Sequence, residues 1–464
     1  MKTILNFLYI SGLLTVSVLF PSEAGAQDLT GFWAGKVDLP TVKLTLIFKF
    51  AEPGNDTVKL DIPEQEANDL IGTILKVNSD SLVFRHEELN RTFYGEFLND
   101  STVKGDWEKN KISIPVTLKK TETPPKLKRP QTPQPPFPYL SENVEYINSK
   151  SGLKLAGTLT IPEKADGCPA VVMLTGSGAQ DRDETIFGHK PFFVIADYFA
   201  RNGIAVLRVD DRGVGGSEGN IAVSTSEEFA DDALAGIDFL KTRKEIDSQK
   251  IGLIGHSEGG LIAPIAATTS NDVAFFIMMA GPGMIGEQIL YEQNDLALRA
   301  AGMSEYVIKQ NRAVQKTMFD ILKNQPDSAL AHRELQIKLS QGFYDGMNDE
   351  MKAQVDGKIK GINSKWFRYF LTYDPQPTLS KVKCPVLALN GAKDLQVPVS
   401  NLEAIEKAIK SGGNENVKII AFDNLNHLFQ NSTTGAVAEY SQIEETIDPE
   451  VLRIMKDWIW EKVE

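Results

Sequence analysis

The sequence is poor in cysteine, histidine and positive charge, and each shortage excludes something. Of 464 residues only Cys168 and Cys384 are cysteine, too few for a disulfide-built scaffold. Each precedes a proline and an apolar strand, "CPAVVMLTG" and "CPVLALNG". In one parallel sheet both thiols would lie at its N-terminal edge on strands that are not neighbours. A bridge needs Cα atoms within about 7 Å, so two free thiols are expected. Lys and Arg number 49 against 62 Asp and Glu, a net charge of −13. That balance disfavours nucleic acid and anionic membrane as partners. No cluster has the His, Cys and carboxylate spacing of a metal site. No phosphate-binding glycine loop is present either. No metal and no cofactor are expected.

Long apolar runs are confined to the start of the chain. Lys2 is followed by an apolar run from Ile4 to Phe20, then Pro21 and Ala24-Gly25-Ala26. This is the layout of a cleaved secretory signal, so residues 1–26 are expected to be removed and the rest exported, periplasmic or secreted. No later run is long enough to span a bilayer, so no stable membrane insertion is expected after cleavage.

Residues 27–122 read as an all-β accessory domain of seven short strands, with turns such as Asn99-Asp100-Ser101 between them. A barrel or sandwich is expected. Gly31-Phe-Trp-Ala-Gly35 resembles the opening strand of lipocalin-like barrels, and Trp33 is expected to pack the barrel base. Residues 123–141 are rich in proline and read as a stiff, extended linker. From 142 to 464 the pattern changes. Two strands form a hairpin, and then apolar strands alternate with helices, which predicts a mostly parallel sheet covered on both faces. Residues 284–380 interrupt the alternation with helices alone and are expected to form a cap. In "KWFRYFLTY" (365–373) Trp366, Phe367, Tyr369, Phe370 and Tyr373 either pack the cap core or wall a substrate pocket.

The chemistry centres on "IGLIGHSEGGLIAPIAA", residues 251–267. A Gly-x-Ser-x-Gly string arises by chance about once in five or six chains of this length at average usage. Its context is more specific: a buried strand, a serine between glycines, then a helix of small residues. The base must lie in a loop at the carboxyl edge of the sheet. His86 is in the β domain, His332 in the cap, and His256 beside Ser257 points elsewhere. His427, in the loop "DNLNHLF" after the strand "VKIIAF", is the candidate. The orienting acid is Asp394 in "NGAKDLQVP". Asp374 falls in the cap, and Asp423 lies too close to His427 on the same loop. Ser257, Asp394, His427 is the chain order of α/β hydrolases. An oxyanion hole needs two backbone N–H groups. Glu258 supplies one. Ser177, in Thr175-Gly-Ser-Gly178, is favoured for the other, with Gly176 and Gly178 as alternatives. Asp210, Asp211 and Arg212 read as a hydrogen-bonded support for these loops.

"GSGAQDRDE", "RVDDRGVGGSEG", "GHSEGG" and "GAKDLQVP" occur in an order and spacing that resembles bacterial carboxylesterases of the α/β-hydrolase superfamily. The serine aminopeptidase and dienelactone hydrolase groups are more distantly similar. The resemblance covers residues 144–464 and implies hydrolysis of a small-molecule ester through an acyl-enzyme. Thr175 stands where many relatives have histidine. A peptidase using the same triad is the alternative. It would need a site for a peptide amine, for which Glu287 and Glu292 are candidates. A non-catalytic envelope binding protein is the second alternative.

Overall fold

The computed structural model describes residues 27–39, 43–52, 55–110, 112–340 and 344–464. The expected signal, residues 1–26, lies outside them. The chain divides into two compact units between Lys126 and Leu127.

The first unit is a closed antiparallel barrel of eight strands. In chain order they are β1 (Gly31–Asp38), β2 (Lys43–Phe50), β3 (Thr57–Ile62), β4 (Ala67–Val77), β5 (Ser81–His86), β6 (Arg91–Asn99), β7 (Thr102–Lys109) and β8 (Ile112–Thr121). Alternate residues point inward, as in Val58, Leu60 and Ile62 or Leu82, Phe84 and His86, all buried. Trp33 is fully buried and donates Nε1–H to the Leu29 carbonyl at 2.7 Å. The sequence predicts seven strands here, and β4 is the eighth. Asn68, Asp69 and Gly72 read as turn residues, and apolar Ile71 and Leu75 point outward, 59% and 58% exposed, which blurs the alternation. Gly72 faces inward beneath His86, where a Cβ would meet the imidazole at 2.8 Å.

The second unit holds an eight-stranded sheet. Its strands are β9 (Tyr139–Ile147), β10 (Lys154–Pro162), β11 (Cys168–Leu174), β12 (Ala205–Val209), β13 (Ile246–His256), β14 (Phe276–Met279), β15 (Val386–Gly391) and β16 (Val417–Phe422). The spatial order is β16-β15-β14-β13-β11-β12-β10-β9. The six strands from β11 to β16 are parallel, and the β9–β10 hairpin closes one edge antiparallel. Strands buried on both faces need continuous apolar runs, which "CPAVVML" and "FIMM" supply. Each fully buried Leu, Ile or Phe stabilises the fold by about 1.5–3 kcal/mol. Helices α1 (Pro191–Arg201), α2 (Ser226–Lys241) and α3 (Gly259–Thr269) follow the early strands. Helices α4 (Gly286–Ala300), α5 (Glu305–Asn324), α6 (Ser328–Leu339), α7 (Asp349–Ile362), α8 (Lys365–Thr372) and α9 (Gln376–Leu379) form the helical insertion. Then come α10 (Asn401–Ser411), α11 (Val437–Tyr440) and α12 (Pro449–Val463). One sheet face packs on α2, α3 and α10, the other on α1 and α12. This is the α/β-hydrolase architecture, preceded by a small β-barrel.

Cys168 and Cys384 are both free, on β11 and just before β15, with strands β13 and β14 between them in the sheet. Residues 127–138, within the stretch read as a linker, pack on the second unit. Prolines leave this segment short of backbone donors, and side chains replace them. Arg129 donates to the carbonyls of Phe187, Ser441 and Ile443, and Gln131 to that of Ile447.

Candidate active site

The turn at Ser257 follows from close backbone packing. A Cβ on Gly255 would lie 2.0 Å from the Gly259 carbonyl oxygen, and one on Gly259 would lie 2.2 Å from that of Leu174. Only glycine fits at both places, so β13 can turn sharply into α3. Ser257 takes the cost of that turn, with φ of +52°. A positive φ in a non-glycine residue is strained and points to a functional constraint. The Ser257 N–H is pinned by the Met279 carbonyl at 2.8 Å. The residue is half-buried while its neighbours His256 and Glu258 are buried.

His427 and Asp394 meet as the sequence reading expects. His427 Nδ1 lies 2.7 Å from Asp394 Oδ2, both side chains almost fully buried. The other carboxylate oxygen accepts the N–H groups of Gln396 at 2.7 Å and Val397 at 2.9 Å. That fixes the carboxylate and reserves Oδ2 for the imidazole, which in turn leaves Nε2 as the proton acceptor. Asp374 and Asp423 are both exposed, Asp374 bonded within its own turn. The His427 ring centroid is 4.8 Å from that of His256, next to Ser257. Among the described residues neither the Ser257 hydroxyl nor His427 Nε2 has a hydrogen-bond partner, and neither is a buried orphan. Both open onto accessible space, and such bonds tighten when substrate is bound.

One of the expected oxyanion donors is engaged elsewhere. Gly176 N–H is already committed to Glu184 Oε1 at 2.7 Å. The N–H groups of Ser177, Gly178 and Glu258 have no partner among the described residues, so Gly176 is the candidate that the geometry removes. The Ser177 loop is held by Asp211, whose Oδ1 accepts the Thr175 hydroxyl at 2.7 Å and whose Oδ2 accepts the Gln180 N–H at 2.9 Å. Thr175, in the place of a histidine in many similar enzymes, is thus an anchor. Burial pushes Asp211 up to about 7, against the pull of the Thr175 and Gln180 bonds. Asp210 takes a fork from Arg182, and Arg212 pairs with Asp232.

The contacts of Glu184, Asn426 and Glu258 are not legible in the sequence. Glu184 Oε1 also accepts from His256 Nδ1 at 2.9 Å, and His256 Nε2 reaches the His427 carbonyl at 3.0 Å. This chain ties the loop at Gly176 to the loop that carries His427. Burial works against protonating His256, but the charge and hydrogen bond of Glu184, the His427 carbonyl and Asp394 hold its pKa above the ordinary value. Asn426, fully buried, accepts from Leu428 N–H and Gln430 N–H and closes the His427 loop. Glu258 Oε1 accepts from Ser226 at 2.6 Å and from Trp366 Nε1 at 2.8 Å, tying α8 of the cap to the residue after Ser257. Burial raises the Glu258 pKa, with both bonds opposing. The one advance signal was the carboxylate at 184 in "GSGAQDRDE".

The aromatic helix α8 packs the cap core, and one of its residues also faces a cavity. Phe367 and Leu371 pack into the cap core with Phe319. Trp366 stacks on Phe370, centroids 5.4 Å apart, and faces a cavity of about 340 Å³ with Ser177, Gly178, Ala179, Ile221 and Ala222. Glu287, a candidate amine ligand, is instead paired with Lys323 at 2.8 Å and bonded by Tyr291.

An esterase, EstD, of Thermotoga maritima is 29% identical over 274 residues, 59% of this chain and 58% of that protein. The human serine hydrolase BPHL is 24% identical over 210 residues, 44% of this chain and 58% of its own length. The chain therefore spans little more than half of either relative. The crystal structure of the α/β hydrolase GrgF from Penicillium sp. sh18 aligns with a TM-score of 0.46 at 16% identity, covering 70% of this chain and 99% of that one. Residues 151–427 match the X-Pro dipeptidyl-peptidase (S15) family, over more than half of the chain and from β10 to His427. The chain belongs to the X-Pro dipeptidyl-peptidase (S15) family, and its second unit has the α/β-hydrolase fold.

Proposed function

We propose that the protein is an exported carboxylesterase that cleaves small carboxylic esters through an acyl-enzyme. The observation that carries the ester reading is the cavity beside the oxyanion loop. Trp366, Ile221, Ala222 and Ala179 line it, and no carboxylate does. A peptide amine would need one; Glu287 is spent on Lys323, and Glu292, bonded to Gln288, does not line the cavity either. The esterase relative from Thermotoga maritima supports the same reading.

Ser257 Oγ attacks the ester carbonyl carbon as His427 Nε2 takes its proton. The carbonyl oxygen becomes an oxyanion and rests on the N–H groups of Ser177 and Glu258. Collapse expels the alcohol, which takes the proton back from His427. Water then attacks the acyl-enzyme by the same route and releases the acid. Export rests on the charged, apolar and small-residue sequence of residues 1–26, and a mature N-terminus at Gln27 in the exported fraction is its test.

Hydrolysis of a short-chain p-nitrophenyl ester by the protein and by Ser257→Ala tests the mechanism. Turnover should fall by roughly 10⁶ with the fold intact. Equal rates in both proteins would refute the assignment. The peptidase reading is favoured by the family itself. An Xaa-Pro anilide cleaved faster than the ester would replace the ester proposal with it.

A further inference from the structure

The barrel has a site of its own. At one end lies a cavity of about 270 Å³, walled by Val37, Leu44, Leu46, Ile62, Ile114 and Trp107. An apolar cavity of about 150 Å³ is already large enough for benzene. Pairing between β1 and β8 runs from Phe32 opposite Thr121 to Ala34 opposite Lys119 and stops there, short of this end.

Register gathers three nitrogen-bearing side chains at the same level. His86 on β5 is opposite Arg91 on β6, and Thr92 opposite Glu108 sets Arg91 beside Lys109 on β7. All three occupy inward-pointing positions, one step beyond the layer of Phe84, Phe93 and Trp107. Arg91 and Lys109 line the cavity. Arg91 is half-buried, donates from Nη1 to the Trp107 carbonyl at 3.2 Å, and is paired with no carboxylate among the described residues. Lys109 also has no acidic partner among them. Glu88 is the carboxylate at the rim, and it is exposed. His86 is fully buried, its ring 5.6 Å from Trp107 and 6.0 Å from Phe48 and Phe84, and neither nitrogen makes a hydrogen bond of normal geometry. Burial lowers its pKa to about 4, against Glu87 and the Ile71 carbonyl, so near neutral pH the ring is an uncharged donor and acceptor.

Unpaired cations above an apolar, aromatic floor match a ligand with one anionic head and an apolar body. We propose that this end of the barrel binds an amphiphilic monocarboxylate, its head on Arg91 and Lys109 and its chain among Leu44, Leu46 and Trp107. The site itself does not depend on the hydrolase reading, which enters the test only through the blocking of Ser257, and the Arg91 and Lys109 substitutions report on the barrel with or without that block.

The test is calorimetric titration of the full chain with octanoate and with 1-octanol, after Ser257 has been blocked by a fluorophosphonate so that the hydrolase cavity is occupied. Octanoate should bind one to one and at least tenfold tighter than octanol, a comparison that needs no variant. Arg91→Gln should weaken octanoate about tenfold or more and leave octanol unchanged, with Lys109→Met acting in the same direction. Ester hydrolysis by both variants should match the parent. Absence of octanoate binding, equal affinity for acid and alcohol, or octanoate binding that ignores both substitutions would each overturn the proposal.

Discussion

Glu184 and His256 form a buried carboxylate–imidazole pair, Oε1 to Nδ1 2.9 Å, directly behind the strained Ser257 turn. The same oxygen holds the Gly176 N–H at 2.7 Å, so one atom sets both the loop that presents Ser177 and the ring that braces the His427 carbonyl.

Glu184→Gln keeps the shape of this residue but removes its charge. The loop should lose its fixed position, and a misplacement of about 1 Å can cost 10² in rate. The expected result is a kcat fall of that order with KM nearly unchanged, measured by steady-state ester hydrolysis. Unchanged kcat would show that the pair serves stability alone.

Asp394→Asn should lower kcat by roughly 10⁴, because the amide can present its N–H₂ to Nδ1 and favour the wrong tautomer. Near-ultraviolet circular dichroism should be unaltered, since the Gln396 and Val397 amides still find an oxygen at that position. Labelling of Ser257 by a fluorophosphonate should slow in parallel.

Trp366 faces the cavity and also donates to Glu258. Trp366→Ala should open room for a longer acyl chain. The ratio of kcat/KM for long over short p-nitrophenyl esters should rise by about tenfold, the scale set by a methylene or two in an apolar pocket. No change across an acetate-to-decanoate series would place the acyl group elsewhere.

Asp211 supplies a pH signature. Its pKa rises from 3.8 unfolded to about 7 folded, chiefly through burial. A raised pKa means that the stabilising contribution is full below 3.8 and lost as pH climbs through about 7. Asp211→Asn removes this dependence. The melting temperature of the parent relative to the variant should therefore fall between pH 4 and pH 7, and a constant difference would contradict the shift.

Deletion of residues 27–126 should leave ester hydrolysis intact, because the second unit has its own core and sheet. Extending the deletion to residue 140 removes Arg129, Gln131 and the first residues of β9. That longer deletion should lower the melting temperature by several degrees.

The local sequence determined what depends on neighbours along the chain. Continuous apolar runs fixed the buried parallel strands, and glycines at 255 and 259 fixed a turn that tolerates no side chain there. The separation of Ser257, Asp394 and His427 onto three strand ends was legible because each follows a strand and the fold order is conventional. Strand β4 escaped because its outward face carries Ile71 and Leu75, so the two-residue period lost contrast. Tertiary structure alone decided contacts between residues far apart in the chain. Glu184 meets His256 across 72 positions, Glu258 meets Trp366 across 108, and Arg129 meets Ser441 across 312. Likewise, no pattern in the chain marks Arg91 as unpaired or His86 as unpartnered. A residue's partner, its burial and its proton affinity are set by what the folded chain brings against it, and short-range sequence patterns do not encode that.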